Sequence, residues 1–176
     1  MIKKLLGIVG VFLIVFAVVA QEDTTKVPVE LEASDGLILM GDFYPQAEPS
    51  IAVLLLHMNG SDRNGWSAFI PELQEAGYAV LAIDMRGFGK TGGIKEWTLA
   101  QEDVQVWLDW LKSQENVSGI AVVGASVGAG LGLIGCANDP DCLTVIALSP
   151  GEDFFGVEPA DAISTGLADR PILLVA

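Results

Sequence analysis

Histidine occurs once in this sequence of 176 residues and cysteine twice. With so few of these side chains, and none closely paired, the chain offers no credible zinc site and implies no cofactor. Basic residues are scarce as well: nine Lys and Arg stand against 23 Asp and Glu, a net charge of −14. So acidic a surface repels phosphate backbones, which excludes nucleic acid as a partner. There is no internal repeat and no low-complexity stretch. What the chain does have is apolar residues, 51% of the total, with a mean hydropathy of +0.49. That content is too high for a disordered chain, and the length suits one domain with a packed core.

Part of the apolar excess stands at the front. Lys3 and Lys4 precede an apolar run from Leu5 to Ala20, which Gln21, Glu22 and Asp23 end abruptly. A basic start, an apolar stretch and small or modest residues at Val18 and Ala20 predict a secretory signal peptide over 1–20, cleaved after Ala20. The run is shorter than the roughly 20 residues of a spanning helix. An uncleaved anchor over residues 5–20 is the alternative, and the only route to a membrane partner. The expected location is therefore extracytoplasmic, periplasmic or secreted, where disulfides are chemically permitted. Cys136 and Cys142 bracket a turn-rich stretch and are the candidate pair; two ordinary thiols are the other reading.

From Val27 onward, extended and helical patterns alternate. Val27–Ala33 and Leu37–Tyr44 read as a hairpin around Ser34-Asp35-Gly36. The continuous apolar runs 51–56, 78–83, 120–123, 143–148 and 171–176 read as strands covered on both faces. Between them, helical spacing predicts helices over 66–76, closed by Gly77, and over about 99–114, 127–137 and 159–167. Thr98 and Gln101 form an expected capping box for the second of these, with Val104, Trp107, Leu108 and Leu111 as its apolar stripe. The order predicts a mostly parallel α/β sheet with helices on both faces. The sequence stops inside a strand, the mark of a fragment.

Three loops past strand ends carry chemistry. Gly124-Ala125-Ser126-Val127-Gly128 is a G-x-S-x-G turn between a strand and a small-residue helix, the setting in which a serine stands exposed as a nucleophile above a helix N-terminus. Gly130 and Gly132 would let that helix approach the sheet. His57-Met58-Asn59-Gly60 follows the first buried strand. His57 precedes Ser126, the wrong order for the base of a hydrolase elbow. This turn therefore reads as an oxyanion hole, a backbone N–H of Asn59 or Met58 pairing with that of Val127, with His57 structural. The third loop, Asp84 to Gly92, contains Gly-Lys-Thr, but the phosphate-loop pattern needs glycine where Asp84 stands. Its formal G-x-G-x-x-G match runs into Gly92-Gly93, where a helix should already have begun. Asp84 and Arg86 are expected to tie the loop together by local hydrogen bonds and charge pairing.

These motifs, in this order on these strands, resemble the α/β-hydrolase family across residues 27–176: the HG-like turn with Met58 where glycine is usual, the D-x-R-G-x-G loop at 84–89, and the elbow at 124–128. Leu148-Ser149-Pro150 and Arg170 to Val175 are similar to the family's strands six and seven. The short connection between them looks like the dienelactone-hydrolase-like and small esterase branches. With the signal peptide read at 1–20, the resemblance implies a partial α/β-hydrolase domain over 21–176. It implies Ser126 as nucleophile, with Asn59 and Val127 as oxyanion donors. In the family the acid follows strand seven and the histidine strand eight, positions this sequence does not reach, so the chain as given is expected to be inactive alone. The expected activity of the parent is that of an exported serine hydrolase, cleaving carboxylic esters or related acyl bonds of a small-molecule substrate through an acyl-serine intermediate. The alternative is a non-catalytic binding or structural protein on the same fold.

Overall fold

The computed structural model describes residues 26–176, so the basic start and the apolar run 5–20 lie outside the described residues. Seven strands form one sheet: β1 Val27–Glu32, β2 Ile38–Tyr44, β3 Ser50–Leu56, β4 Ala79–Asp84, β5 Val117–Ala125, β6 Cys142–Leu148 and β7 Ile172–Val175. Their spatial order is β1-β2-β4-β3-β5-β6-β7. β1 and β2 form the expected antiparallel hairpin, β2 runs antiparallel to β4, and all other neighbours are parallel.

Four helices connect the strands: α1 Ile70–Glu75, α2 Trp97–Lys112, α3 Val127–Asn138 and α4 Ala160–Thr165. From β3 the chain steps one way to β4, then crosses back past β3 to β5 and on to β6. Right-handed crossovers in opposite directions place their helices on opposite faces. α1 accordingly packs on the face lined by Val53, Leu55, Val80, Ala82 and Val123. α2 and α3 cover the larger core on the other face, built on Leu54, Leu56, Leu81, Ile83, Ile120 and Val122. Burial on both faces is why runs such as 51–56 are continuously apolar rather than alternating.

The apolar stripe of α2 is buried at Val104, Trp107, Leu108 and Leu111. Gly41 makes room for it, since a Cβ there would lie 3.0 Å from the Trp107 ring. Two local expectations need correction. The cap of α2 is Glu96, whose carboxylate accepts from the Thr98 N–H, so no Thr98–Gln101 box forms: the helix begins two residues earlier than the apolar spacing suggests. The span 66–76 is not one helix but a 3₁₀ turn, Arg63–Trp66, followed by the short α1, because Asp62 caps the first turn and Pro71 starts the second. Gly77, with φ +88°, does end that segment.

At the far end of α3, Cys136 and Cys142 are joined by a disulfide, with Cα atoms 5.2 Å apart. The Arg170 guanidinium donates there to the carbonyls of Cys136, Asp139 and Cys142 at 2.7–2.8 Å. It adds a charged donor to the turn between α3 and β6, where the Cys136 and Asp139 carbonyls also accept from the N–H groups of Asp139 and Cys142. Among the described residues no helix is long and apolar enough to cross a membrane.

Candidate active site

β3 and β5 are neighbours on opposite sides of the point where the strand order reverses, the place where open α/β sheets bind ligands. Their register pairs Leu56 with Gly124, so the turn after β3 and the turn after β5 emerge side by side. The second of these turns holds Ser126 at φ 53° and ψ −122°, a conformation that L-residues rarely adopt. The Ser126 N–H donates to the Leu148 carbonyl at 2.9 Å, and its carbonyl accepts from Ala129 as α3 begins. The side chain is half-buried and hydrogen-bonded to no described residue.

The flanking glycines have steric causes. A Cβ at Gly124 would collide with the Gly128 carbonyl, and one at Gly128 would lie 2.5 Å from the carbonyl oxygens of Leu56 and His57. The helix therefore starts in backbone contact with the end of β3. Gly132 serves the same close packing against Val122 of β5, as expected. Gly130 does not: a Cβ there would meet Val157 of the segment after β6 rather than the sheet.

His57 is buried in the turn after β3. Its Nε2 accepts from the Met85 N–H at 3.0 Å, so Nδ1 carries the proton and donates to the Met58 carbonyl at 2.8 Å. Burial pushes its pKa below the ordinary value of 6.5, against smaller opposing effects of the Met58 carbonyl and of Asp84 and Asp62. Both ring nitrogens are thus committed to backbone, and the imidazole is neutral. The Met58 carbonyl also accepts from Ser61 N–H, 3.2 Å. In a trans peptide the carbonyl and the following N–H point in opposite directions. The Asn59 N–H is accordingly aimed away from both donors, and it donates to no described residue. The same holds for the Val127 N–H at the start of α3, while the Val127 side chain is fully buried. Free N–H groups of this kind are what an oxyanion hole is built from.

A cleft of about 380 Å³ opens over Ser126, lined by His57, Met58, Trp66, Leu148 and Ser149 among others. Its walls are mostly apolar. Met58 lines it directly, whereas Asn59 stands exposed at the rim with its side-chain oxygen 3.2 Å from Lys95 Nζ. Trp66 and Ser149 were not legible as site residues. Ser149 carries a weak signal, standing just past β6 beside the elbow, but Trp66 reaches the cleft only because the 3₁₀ turn brings it back.

That turn is pinned by charge. Arg63 donates through Nη1 to Asp84 at 2.8 Å and through Nε to Asp42 at 2.9 Å, all three side chains being buried. Asp84 also accepts from the backbone N–H groups of Arg63 and Lys90. Asp84 thus ties its own loop together, as expected, and additionally holds the turn after β3. Arg86 instead reaches out of its loop, to Asp103 on α2 at 2.7 Å and to Asp35 in the hairpin at 2.9 Å. Asp35, exposed, is held below the usual carboxylate range by the Arg86 hydrogen bond. The next helix after the Gly-rich loop begins only at Trp97. Among the described residues no group of three His, Cys, Asp or Glu side chains is placed to hold a metal ion.

Sheet order, elbow and flanking turns together define an α/β-hydrolase architecture. The chain belongs to that family: the model of the alpha/beta hydrolase fold matches residues 51–175. Among solved structures it is similar to the esterase Pf2001 of Pyrococcus furiosus, at 28% identity and TM-score 0.66 over 72% of this chain and 53% of that one. It is also similar to the alpha/beta hydrolase GrgF from Penicillium sp. sh18, at 25% identity and TM-score 0.66 over 72% and 46% of the two chains. A dienelactone hydrolase from Anabaena variabilis shares the fold at 22% identity and TM-score 0.69, over 85% and 72%. The chain spans about half the length of the first two of these. The comparison with curated proteins returned no match.

Proposed function

We propose that the protein is a serine hydrolase acting on carboxylic esters or related acyl bonds of small molecules, with Ser126 as nucleophile. The observation that carries this reading is the strained Ser126 at the start of α3, together with the backbone N–H groups of Val127 next to it and of Asn59 in the turn after β3, which have no acceptor among the described residues. Ser126 Oγ would attack the acyl carbon, and the alcohol would leave to give an acyl-serine. The oxyanion would accept hydrogen bonds from the N–H groups of Asn59 and Val127. The apolar walls of the cleft suit an uncharged acyl group. The esterase and dienelactone hydrolase among the similar structures support the same class.

His57 is not the base in this reading. Its two nitrogens are engaged, and burial disfavours the imidazolium that a base must become. Export is part of the proposal: the basic and apolar character of residues 1–20 and the Cys136–Cys142 disulfide both suit an oxidising compartment.

The test is labelling of the full-length protein with a fluorophosphonate, followed by peptide mapping. The expected result is one adduct, on Ser126, lost in Ser126→Ala. An unlabelled Ser126 in folded full-length protein would overturn the reading in favour of a non-catalytic binding protein.

A further inference from the structure

The sequence holds two Asn-Gly pairs five residues apart, Asn59-Gly60 and Asn64-Gly65. Asparagine is thermolabile, and an unhindered glycine after it leaves the following backbone nitrogen free to attack the side-chain amide. The fold treats the two pairs oppositely. At the second, the Gly65 N–H donates to the Asp62 carbonyl at 3.0 Å. Asn64 is itself held there, its N–H on the Asp62 carboxylate at 2.8 Å and its carbonyl accepting from Ser67 at 3.0 Å. At the first, the Gly60 N–H donates to no described residue, and Met58, Asn59 and Gly60 are all exposed. Gly60 has φ +82°, and a Cβ placed on it would meet nothing within 4 Å.

A cation completes the arrangement. Lys95 Nζ lies 3.2 Å from Asn59 Oδ1 and 4.3 Å from the centre of the Phe88 ring, which helps hold it there. An ammonium on the amide oxygen stabilises the negative charge that develops on that oxygen when the carbon is attacked.

We propose that Asn59-Gly60 is a self-modification site that converts to aspartate and isoaspartate in the folded protein and so retires the oxyanion turn. The Gly60 nitrogen, losing its proton to solvent, bonds to Asn59 Cγ; the Cγ–NH₂ bond breaks and ammonia leaves, closing a succinimide. Water then opens the ring at either carbonyl, giving aspartate or, with the main chain rerouted through Cβ, isoaspartate. No oxidant or reductant is involved. Either product sets a carboxylate beside the turn that must bind an anion. Isoaspartate also lengthens the main chain inside the turn closed by the Ser61 N–H on the Met58 carbonyl. The chemistry stands on the free Gly60 N–H, the exposure of the turn and the Lys95 contact; only its consequence rests on the esterase reading.

The experiment incubates the full-length protein at neutral and mildly alkaline pH, native and in denaturant. Residues 59 and 64 are followed by peptide mass spectrometry with isoaspartate detection, and hydrolysis of an activated aryl ester is recorded in parallel, scaled to its starting value. In the native protein, conversion at 59 should outpace that at 64 by about tenfold or more, as hydrogen-bonded closure protects Gly65. In denaturant the two rates should converge. Lys95→Met should slow native conversion at 59 and leave 64 unchanged. Equal native rates, faster conversion at 64, or an unchanged Asn59 in native protein would overturn the proposal. Esterase activity should fall in step with the converted fraction at 59, and activity that persists through full conversion would overturn the inactivation. A protein with no esterase activity at the outset would refute the functional reading alone, because the mass measurement is still decisive for the site.

Discussion

The ion pairs under the site turn make a quantitative prediction. Asp84 accepts from the Arg63 guanidinium and from two backbone N–H groups, of Arg63 and Lys90, and is almost wholly buried. Breaking a buried pair by removing one partner costs about 3–5 kcal/mol. Two details place Asp84→Ala at the lower end. Asp42 still pairs with Arg63 Nε, so the guanidinium keeps one carboxylate, and Lys90 is exposed, so water can take its N–H. The buried Arg63 N–H stays orphaned, and about 3 kcal/mol is the expectation. Asp42→Ala differs: Arg63 keeps Asp84, and the lost Lys26 contact is half-exposed, leaving about 1.5 kcal/mol for one charge-assisted bond. Urea unfolding followed by tryptophan fluorescence reads both. With a slope of about 2 kcal/mol/M, the midpoint should fall by roughly 1.5 M for Asp84→Ala and by roughly half that for Asp42→Ala. Fluorophosphonate labelling should also slow in Asp84→Ala under native conditions, because the turn bearing Met58 and Asn59 loses its anchor. Equal midpoint shifts in the two variants would refute this account of which carboxylate carries the turn.

Three further outcomes follow from the geometry. Ser126→Gly should be more stable than Ser126→Ala by about 1–3 kcal/mol, since glycine relieves the backbone strain and alanine keeps it; thermal melts of the two should differ accordingly. His57 should impose a pH dependence. Its folded pKa lies below 6.5, so below pH 6.5 the unfolded chain binds the extra proton first, and stability falls as pH drops through that window. Unfolding free energies measured from pH 7.5 down to 5.5 should show that contribution in the wild type and lose it in His57→Asn, whatever the variant's absolute stability. The double variant Cys136→Ala/Cys142→Ala opens a loop closed across a separation of six residues, for which chain entropy predicts a loss of about 2 kcal/mol in chemical unfolding.

Much of this was legible in the sequence because period and burial speak the same language. A parallel strand covered on both faces must be apolar without interruption, and 51–56, 78–83 and 120–123 are. The elbow was legible because steric exclusion writes glycine into the sequence: Gly124 and Gly128 stand where a Cβ would strike backbone. Where packing instead depended on a partner remote in the chain, the pattern was silent. Arg86 read as a local tie, yet its acceptors are 17 and 51 residues away. Gly130 read as sheet-facing, but its neighbour is Val157, which no local periodicity places there. The apparent helix 66–76 failed because apolar spacing over two short turns mimics one long one, and Pro71 and the Asp62 cap decided the break. Trp66 entered the cleft as a consequence of that break.

The strain at Ser126 persists only if its surroundings over-determine it, and the fold does this from three directions. β5 is locked between β3 and β6, and the Ser126 N–H is spent on Leu148 of β6. The first turn of α3 is pressed against the end of β3 through Gly128, so the helix cannot slide back to relax the turn. Its last turn is fastened by the disulfide and by Arg170, which also binds the carbonyl of Gly166 beyond α4. A rigid helix clamped at both ends transmits any shift to the serine, since packed interiors move as units rather than yielding locally. The order of importance then follows from distance. Gly128→Ala acts within two residues of Ser126 and should abolish labelling outright, whereas opening the disulfide acts ten residues away and should lower stability while leaving labelling measurable. If the disulfide variant lost labelling as completely as Gly128→Ala under conditions where both are folded, the clamp at the far end of α3, and not the contact at its start, would be what holds the serine in place.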